Sequence, residues 1–198
     1  MRYKALALQT TCHAVNGFSD ASESKKAISF NIQTIGKQIR ASKTFIGSDL
    51  KLVVLPEYFA TGFPMGESIA TWKSKACIAE IDPLFEDILQ MAKDNSIYLS
   101  GNFYENDHHF PEFYFQSSFI ISPNGECILK YRRLNSMFAV TPYDVLDKYR
   151  EIYGNDALFP VVDTEIGKLA CIASEEILYP EICRCLMMRG AEIICHNT

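Results

Sequence analysis

The stretch from Gly167 to Arg189, GKLACIASEEILYPEICRCLMMR, reads as a strand, an abrupt turn and a helix. Lys168 to Ala173 is a short apolar run of the kind that forms a buried strand. Ser174, Glu175 and Glu176 interrupt it with polar groups. Pro180 fits the first turn of a helix, where its missing N–H costs nothing. Ile182, Cys183, Leu186 and Met187 recur at helical spacing, and Gly190 is placed to stop the helix. A polar side chain at such a corner stands at the C-terminal end of a strand and faces a helix N-terminus. Open α/β sheets put their ligand sites there. On spacing alone, Ser174 is a polar turn residue.

Outward from this corner the same alternation continues. Tyr3 to Leu8 reads as a first strand and Thr10 to Ser24 as a polar connection. Ile28, Ile32, Ile35 and Ile39 make one apolar stripe, which predicts an amphipathic helix over Ser24 to Lys43. Leu50 to Leu55 is a continuous apolar run, as in a strand covered on both faces. It ends at Pro56, and Glu57 follows. A second helix is expected over Asp82 to Asp94, with Asp82 as cap and Pro83 in the first turn. Ile97 to Ser100 is the next strand. Phe115 to Ile121 and Cys127 to Tyr131 form a hairpin across Ser122-Pro123-Asn124-Gly125-Glu126. Tyr143 to Tyr153 reads as helix, and Val161 to Asp163 and Ala191 to His196 as strands. Strands alternating with helices, interrupted by one hairpin, predict an α/β fold with mixed sheets.

The bulk numbers narrow the function classes. The 198 residues suit a single domain over 1–198, and 48% hydrophobic content allows a large core. A net charge of -5 argues against a nucleic-acid or anionic-membrane surface. No apolar run has the length of a membrane span. The seven cysteines have no regular pairing pattern, so reduced thiols and a cytoplasmic location are expected. No Cys–His spacing suggests a zinc site, and neither a metal nor a cofactor is expected.

Three segments resemble the nitrilase, or carbon–nitrogen hydrolase, superfamily, with motifs like those of aliphatic amidases. Leu55-Pro56-Glu57-Tyr58-Phe59, followed by Thr61-Gly62-Phe63, resembles the segment of the general-base glutamate. Ser117-Ser118 through Asn124-Gly125 to Lys130-Tyr131-Arg132-Arg133 resembles the hairpin that ends on the catalytic lysine. SEEILYPEICR resembles the nucleophile motif, with Tyr179, Pro180, Glu181 and Arg184 on the matching positions. Gly101-Asn102-Phe103-Tyr104-Glu105 is similar to the strand end that precedes the hairpin. The resemblance implies a four-layer α-β-β-α sandwich with catalytic positions at Glu57, Arg133 and Ser174. It also implies substrate contacts at Tyr58, Glu175 and Tyr179, a small amide or nitrile substrate, and pairing into a homo-oligomer.

Two of the three catalytic positions depart from the family. Ser174 stands where the family has cysteine, and Arg133 where it has lysine. A serine hydroxyl is a far weaker acid than a thiol and needs a well-placed base to attack. An arginine keeps the positive charge but cannot shuttle a proton, and its planar fork could grip Glu57 bidentately. Asn135 to Pro142 carries no carboxylate where the family has a second glutamate. Cys171, three residues up the strand, should face away from Ser174 and be buried, and Lys130 should be a solvated strand residue. The chain therefore reads as a diverged hydrolase of non-peptide C–N bonds, or alternatively as a nitrilase-fold binding or structural subunit without catalysis. Its last residues follow the strand after the nucleophile helix. The sandwich is therefore expected to be incomplete at that end, as in an N-terminal portion of a longer domain.

Overall fold

The computed structural model describes residues 2–198. Five strands form the larger sheet: β1 (Lys4–Ala7), β2 (Leu50–Val54), β3 (Tyr98–Glu105), β4 (Phe115–Ile121) and β5 (Cys127–Arg132), in that order. β1, β2 and β3 are parallel, while β4 and β5 each reverse direction. The smaller sheet has three strands, β6 (Val162–Thr164), β7 (Gly167–Ala173) and β8 (Ile193–Asn197). β7 lies antiparallel to β6 and parallel to β8.

The two sheets face each other through one apolar layer. Leu52, Tyr98, Ile120, Leu129 and Tyr131 meet Leu169, Cys171 and Cys195 there. On the outside of the larger sheet lie α1 (Ala21–Ile46) and α3 (Pro83–Asn95). The stripe Ile28, Ile32, Ile35 and Ile39 packs with Phe85 and Ile88 over Val53, Leu99 and Phe119. On the outside of the smaller sheet, Ile182 and Leu186 of α5 (Pro180–Met188) cover Ala170 and Ile172. Alternate residues of β7 thus enter two different cores, which is why the strand reads as a continuous apolar run. The layers are helix, sheet, sheet, helix, as the family resemblance implies.

Several boundaries differ from the sequence reading. α1 begins at Ala21 rather than Ser24, because the Asp20 carboxylate caps it by accepting from the Ser22 and Glu23 amides. α2 (Ile69–Ala76) has no counterpart in the sequence reading. Its buried side includes Trp72 and Ala76, too few apolar residues to make a stripe. The helix expected over Tyr143 to Tyr153 divides into a 3₁₀ turn, Pro142–Val145, and α4 (Leu146–Tyr153). β3 runs on to Glu105, past the predicted end at Ser100. Lys130 is not solvated. It and Arg132 are two apart in β5 and share a face. Both pair with the buried Glu105, at 2.8 and 2.7 Å respectively.

This topology gathers the site at one edge. β5 is antiparallel to β4, which is antiparallel to β3, so β5 runs parallel to β2 and β3. The residues that follow β2 and β5 therefore leave the sheet on the same side, and β7 ends against them.

The interior between α3 and the sheet tolerates little added volume. A Cβ at Gly101 would come within 2.7 Å of the Phe119 ring and 3.0 Å of Phe59. At Gly36, within α1, the nearest atom is 3.7 Å away on Met91. Gly101→Ala should lower the unfolding free energy by about 1–3 kcal/mol. Gly36→Ala should raise it by about 0.5–1 kcal/mol. Urea unfolding of the two variants checks both signs.

Candidate active site

Glu57 follows Pro56 at the end of β2, and its backbone N–H donates to the Thr198 carbonyl at 3.4 Å. Tyr58 then takes a left-handed backbone with φ 44°. Its N–H donates to Asn102 Oδ1 at 2.6 Å, and its carbonyl accepts from Thr61 and Gly62 at 3.0 Å each. The corner is thereby closed and Glu57 is held facing the gap between the sheets' ends.

Arg133 is the first residue after β5. Its N–H donates to the Gln116 carbonyl at 2.8 Å, and its Nε donates to the Asn135 carbonyl at 2.8 Å. The guanidinium lies 3.5 Å from Glu57 Oε1 through Nη1 and pairs with Glu175 through Nη2. The bidentate grip on Glu57 that the sequence suggested is replaced by one contact to each of two carboxylates. Its neighbour Arg132 goes the other way. It forks onto Glu105, pairs with Asp107 at 2.7 Å and stacks 4.0 Å from the Tyr153 ring centroid.

Ser174 is the first residue after β7 and has φ 51°, a conformation that is strained for a residue with a Cβ and is found mostly where the surroundings enforce it. The enforcing contacts come from β8 and from Glu176. The His196 ring lies 2.8 Å from the Ser174 carbonyl, and Asn197 Nδ2 donates to the Leu55 carbonyl at 2.8 Å. Glu176 is fully buried, and its carboxylate accepts from Tyr131 Oη (2.6 Å), Leu134 N (2.9 Å), Asn135 N (3.3 Å) and Ala173 N (3.1 Å). One carboxylate therefore binds the end of β5, which carries Arg133, to the end of β7, which carries Ser174.

Glu57, Arg133, Ser174 and Glu175 line one cavity of about 590 Å³. Its remaining walls come from Phe63 to Glu67, Tyr104, Tyr114, Gln116 and the loop Ser136 to Ala139. Burial raises the Glu57 carboxyl above the usual carboxylate range; the Arg133 charge and the Ser174 hydroxyl oppose this only in part. A base of raised affinity beside a hydroxyl and a guanidinium can take up a proton, support an attack and balance a developing negative charge.

Two residues expected to contact substrate, Tyr58 and Tyr179, are not on the lining of this cavity. Tyr58 is buried behind the cavity wall, its ring stacked on Tyr104 at 4.1 Å between centroids. The left-handed turn that aims Glu57 forward sends the next side chain back. Tyr179 is 40% exposed. The 3₁₀ turn Ser174–Leu178 carries it outward to the start of α5. Cys171 lies fully buried between the sheets. Glu176, Tyr104 and Gln116 escape sequence reasoning as site residues. Glu176 reads only as part of a polar interruption, and the pairing of Tyr104 with Gln116 needs strand register, which a single sequence does not display. Among the described residues no cluster of His, Cys, Asp and Glu could hold a metal ion.

Residues 21–198 match the model of a family described as carbon-nitrogen hydrolase. A formamidase of Bacillus cereus (strain B4264) is 29% identical over 174 residues, covering 87% of this chain and 48% of the relative. A formamidase of Bacillus thuringiensis (strain Al Hakam) has the same identity and coverage. The chain thus spans about half the length of these curated relatives. Among solved structures, a carbon-nitrogen hydrolase from Helicobacter pylori G27 superposes with a TM-score of 0.69 at 18% identity, over 87% of this chain and 56% of that one. Saccharomyces cerevisiae Nit3, a member of branch 10 of the nitrilase superfamily, gives 0.65 at 19% identity, over 86% and 59%. An amidase from Nesterenkonia sp. gives 0.61 at 16% identity, over 98% and 64%.

Every hydrogen bond Glu176 makes through its side chain is one it accepts. Glu176→Gln would turn an amide N–H toward the donors of Tyr131, Leu134, Asn135 or Ala173. The substitution should lower the unfolding free energy by about 1–3 kcal/mol in a urea titration at neutral pH.

Proposed function

The chain belongs to the carbon–nitrogen hydrolase family, and on that premise we propose that it cleaves the C–N bond of small non-peptide amides with Ser174 as nucleophile. The observation that carries this reading is the meeting of Glu57, Arg133 and Ser174 on one cavity wall.

The steps follow from the chemistry of these side chains. Glu57 takes the hydroxyl proton as Ser174 Oγ bonds to the carbonyl carbon. Arg133 balances the charge on the oxyanion and keeps its own protons throughout. As the C–N bond breaks, Glu57 returns the proton to the leaving nitrogen and ammonia departs. Water then attacks the acyl-serine ester as Glu57 again accepts its proton; the ester C–O bond breaks, Glu57 gives that proton to Ser174 Oγ, and the carboxylic acid is released with the serine restored. Burial supports the double role of Glu57, because a raised pKa brings the carboxyl nearer the pH at which it can both take and give a proton.

The reading of a binding subunit without chemistry has one observation on its side. Arg133 is already shared between Glu57 and Glu175, which leaves less of its charge for an oxyanion. The free state of all seven thiols fits a reducing compartment, and we place the protein in the cytoplasm on that ground. The exposed apolar side chains Ile177, Leu178, Met187 and Met188 at the two ends of α5 fit a contact between copies in a homo-oligomer. Among the described residues no helix is long and apolar enough to cross a membrane.

Ammonia release from formamide, acetamide and butyramide tests the reading. Ser174→Ala and Glu57→Gln should each reduce the rate about 10²–10⁴-fold. The native rate should rise with pH through a value above the ordinary glutamate pKa of about 4.3, because Glu57 must be ionised to act and its pKa is raised. A Ser174→Ala protein with an undiminished rate would contradict the assignment.

A second outcome concerns the altered pair. Ser174→Cys alone should gain little amidase activity, whereas Ser174→Cys with Arg133→Lys should gain more, because the amine can meet the thiolate chemistry as the guanidinium cannot. Full activity from the single change would show that the lysine position is indifferent to the substitution.

A further inference from the structure

The three side-chain nitrogens of Arg133 each have a different partner. Nε donates to the Asn135 carbonyl at 2.8 Å, Nη2 pairs with Glu175, and Nη1 lies 3.5 Å from Glu57 Oε1. A guanidinium and a carboxylate that meet freely fork together through two parallel hydrogen bonds, as Arg132 does with Glu105. Arg133 makes no such fork with Glu57, because Glu175 holds one of the two Nη arms. The turn after β7 puts Glu175 in reach of that arm. Ser174–Leu178 is a 3₁₀ turn in which Glu176 is buried and fixed by Tyr131 and Ala173. Its neighbour Glu175 is left on the cavity lining with Glu57, Arg133 and Ser174.

We propose that Glu175 is a positioning residue: by holding the Nη2 arm of Arg133 it limits the guanidinium to a single contact with Glu57 and so keeps that carboxylate available as the base. This rests on the amide-hydrolase reading of the same cavity and adds a residue to its machinery. Without Glu175, both Nη arms can turn onto Glu57. A forked ion pair stabilises the ionised carboxylate, and a carboxylate stabilised in this way is a poorer proton acceptor. With Glu175 in place, burial outweighs the one Arg133 contact and the Glu57 carboxyl stays above its usual range. When Glu57 takes up the serine proton, Nη1 loses its anionic partner and is free for the oxyanion, while Nη2 stays anchored.

The other groups around Glu57 do not fill this role. The Ser174 hydroxyl, from the end of β7, hydrogen-bonds to Glu57 but carries no charge. Tyr58 and Tyr104, from the β2 corner and β3, are phenols that burial keeps neutral. Glu176 is satisfied by its own donors, and the His196 ring of β8 rests on the Ser174 carbonyl. Across the cavity, Glu67 is paired with Lys75 at 2.6 Å. Among the described residues, Glu175 is thus the lining carboxylate that competes with Glu57 for Arg133.

Carbon-13 NMR of the full chain, labelled at the glutamate carboxyl carbons, follows Glu57 without turnover; its signal is identified by its loss in Glu57→Gln. Glu175→Gln should lower the Glu57 titration midpoint by about 1 pH unit or more, and Glu175→Met should do the same. Glu175→Asp, which keeps the carboxylate, should stay near the native midpoint. Thermal melts establish that each variant is folded. In an Arg133→Gln background, Glu175→Gln should leave the midpoint in place. An equal fall there would assign the effect to direct repulsion between two carboxylates and overturn the role through Arg133. An unmoved midpoint in Glu175→Gln and Glu175→Met, or as large a fall in Glu175→Asp, would overturn it too. The acid limb of kcat/KM for acetamide in the same proteins separates the two readings. A lowered Glu57 midpoint in a protein whose native form turns over no amide overturns the hydrolase alone. Turnover whose acid limb is the same in the native protein and in Glu175→Gln overturns the positioning role alone.

Discussion

The Glu176 carboxylate is the tie on which the site depends. It is wholly enclosed, and both of its oxygens are used to collect donors from two different sheets. Burial alone would drive this carboxyl toward its neutral form, and it does raise the pKa. The tyrosine hydroxyl and three backbone amides favour the ionised form and reduce the shift. A carboxylate satisfied in this way converts a desolvation cost into geometric definition, since no neutral side chain supplies as many acceptor sites without a donor among them. The strand that delivers Arg133 and the strand that delivers Ser174 are consequently fixed with respect to each other, although the two residues are far apart along the chain.

Strain and charge are concentrated around that tie. Ser174 and Tyr58 both hold left-handed backbones without being glycine, and each sits where a strand must turn sharply to present a side chain at the sheet edge. β8 braces both corners, reaching Ser174 through His196 and the Glu57 corner through Asn197 and Thr198. The paired arginines divide the labour. Arg132 closes a buried network with Glu105, Asp107 and Lys130, while Arg133 faces the cavity with two carboxylates. A buried guanidinium that lost its carboxylates would be strongly destabilising, so Arg132 needs Glu105 of β3 and Asp107 in place beside it.

Most of the fold is legible in the sequence because its signals are local. The isoleucine stripe of α1, the Asp82-Pro83 start of α3, the Asn124-Gly125 hairpin and the apolar run of β7 each announce their element within a few residues. Glu57, Arg133 and Ser174 can be picked out through family motifs, and the structure gathers them on one cavity. What is not legible depends on long-range placement. Lys130 looks like a solvated strand residue until Glu105 arrives from β3 to pair with it. Tyr58 adjoins Glu57 in sequence, but the backbone reversal turns its ring into the wall. Tyr104 and Gln116 are ordinary strand residues until register sets them side by side. Glu176 gives no periodic or spacing signal at all, because its partners are scattered along the chain, at Tyr131, at Leu134 and Asn135, and at Ala173.

The central claim is that the carbon–nitrogen bond is exchanged for an ester on Ser174, with Glu57 moving the proton. Acid quenching during turnover of an amide, followed by proteolysis and mass spectrometry, observes that ester directly. The account predicts that the peptide containing Ser174 gains the mass of the acyl group and that the adduct is absent from Ser174→Ala. Acylation of a cysteine such as Cys171, or product accumulating with no adduct on the Ser174 peptide at any quench time, would contradict it.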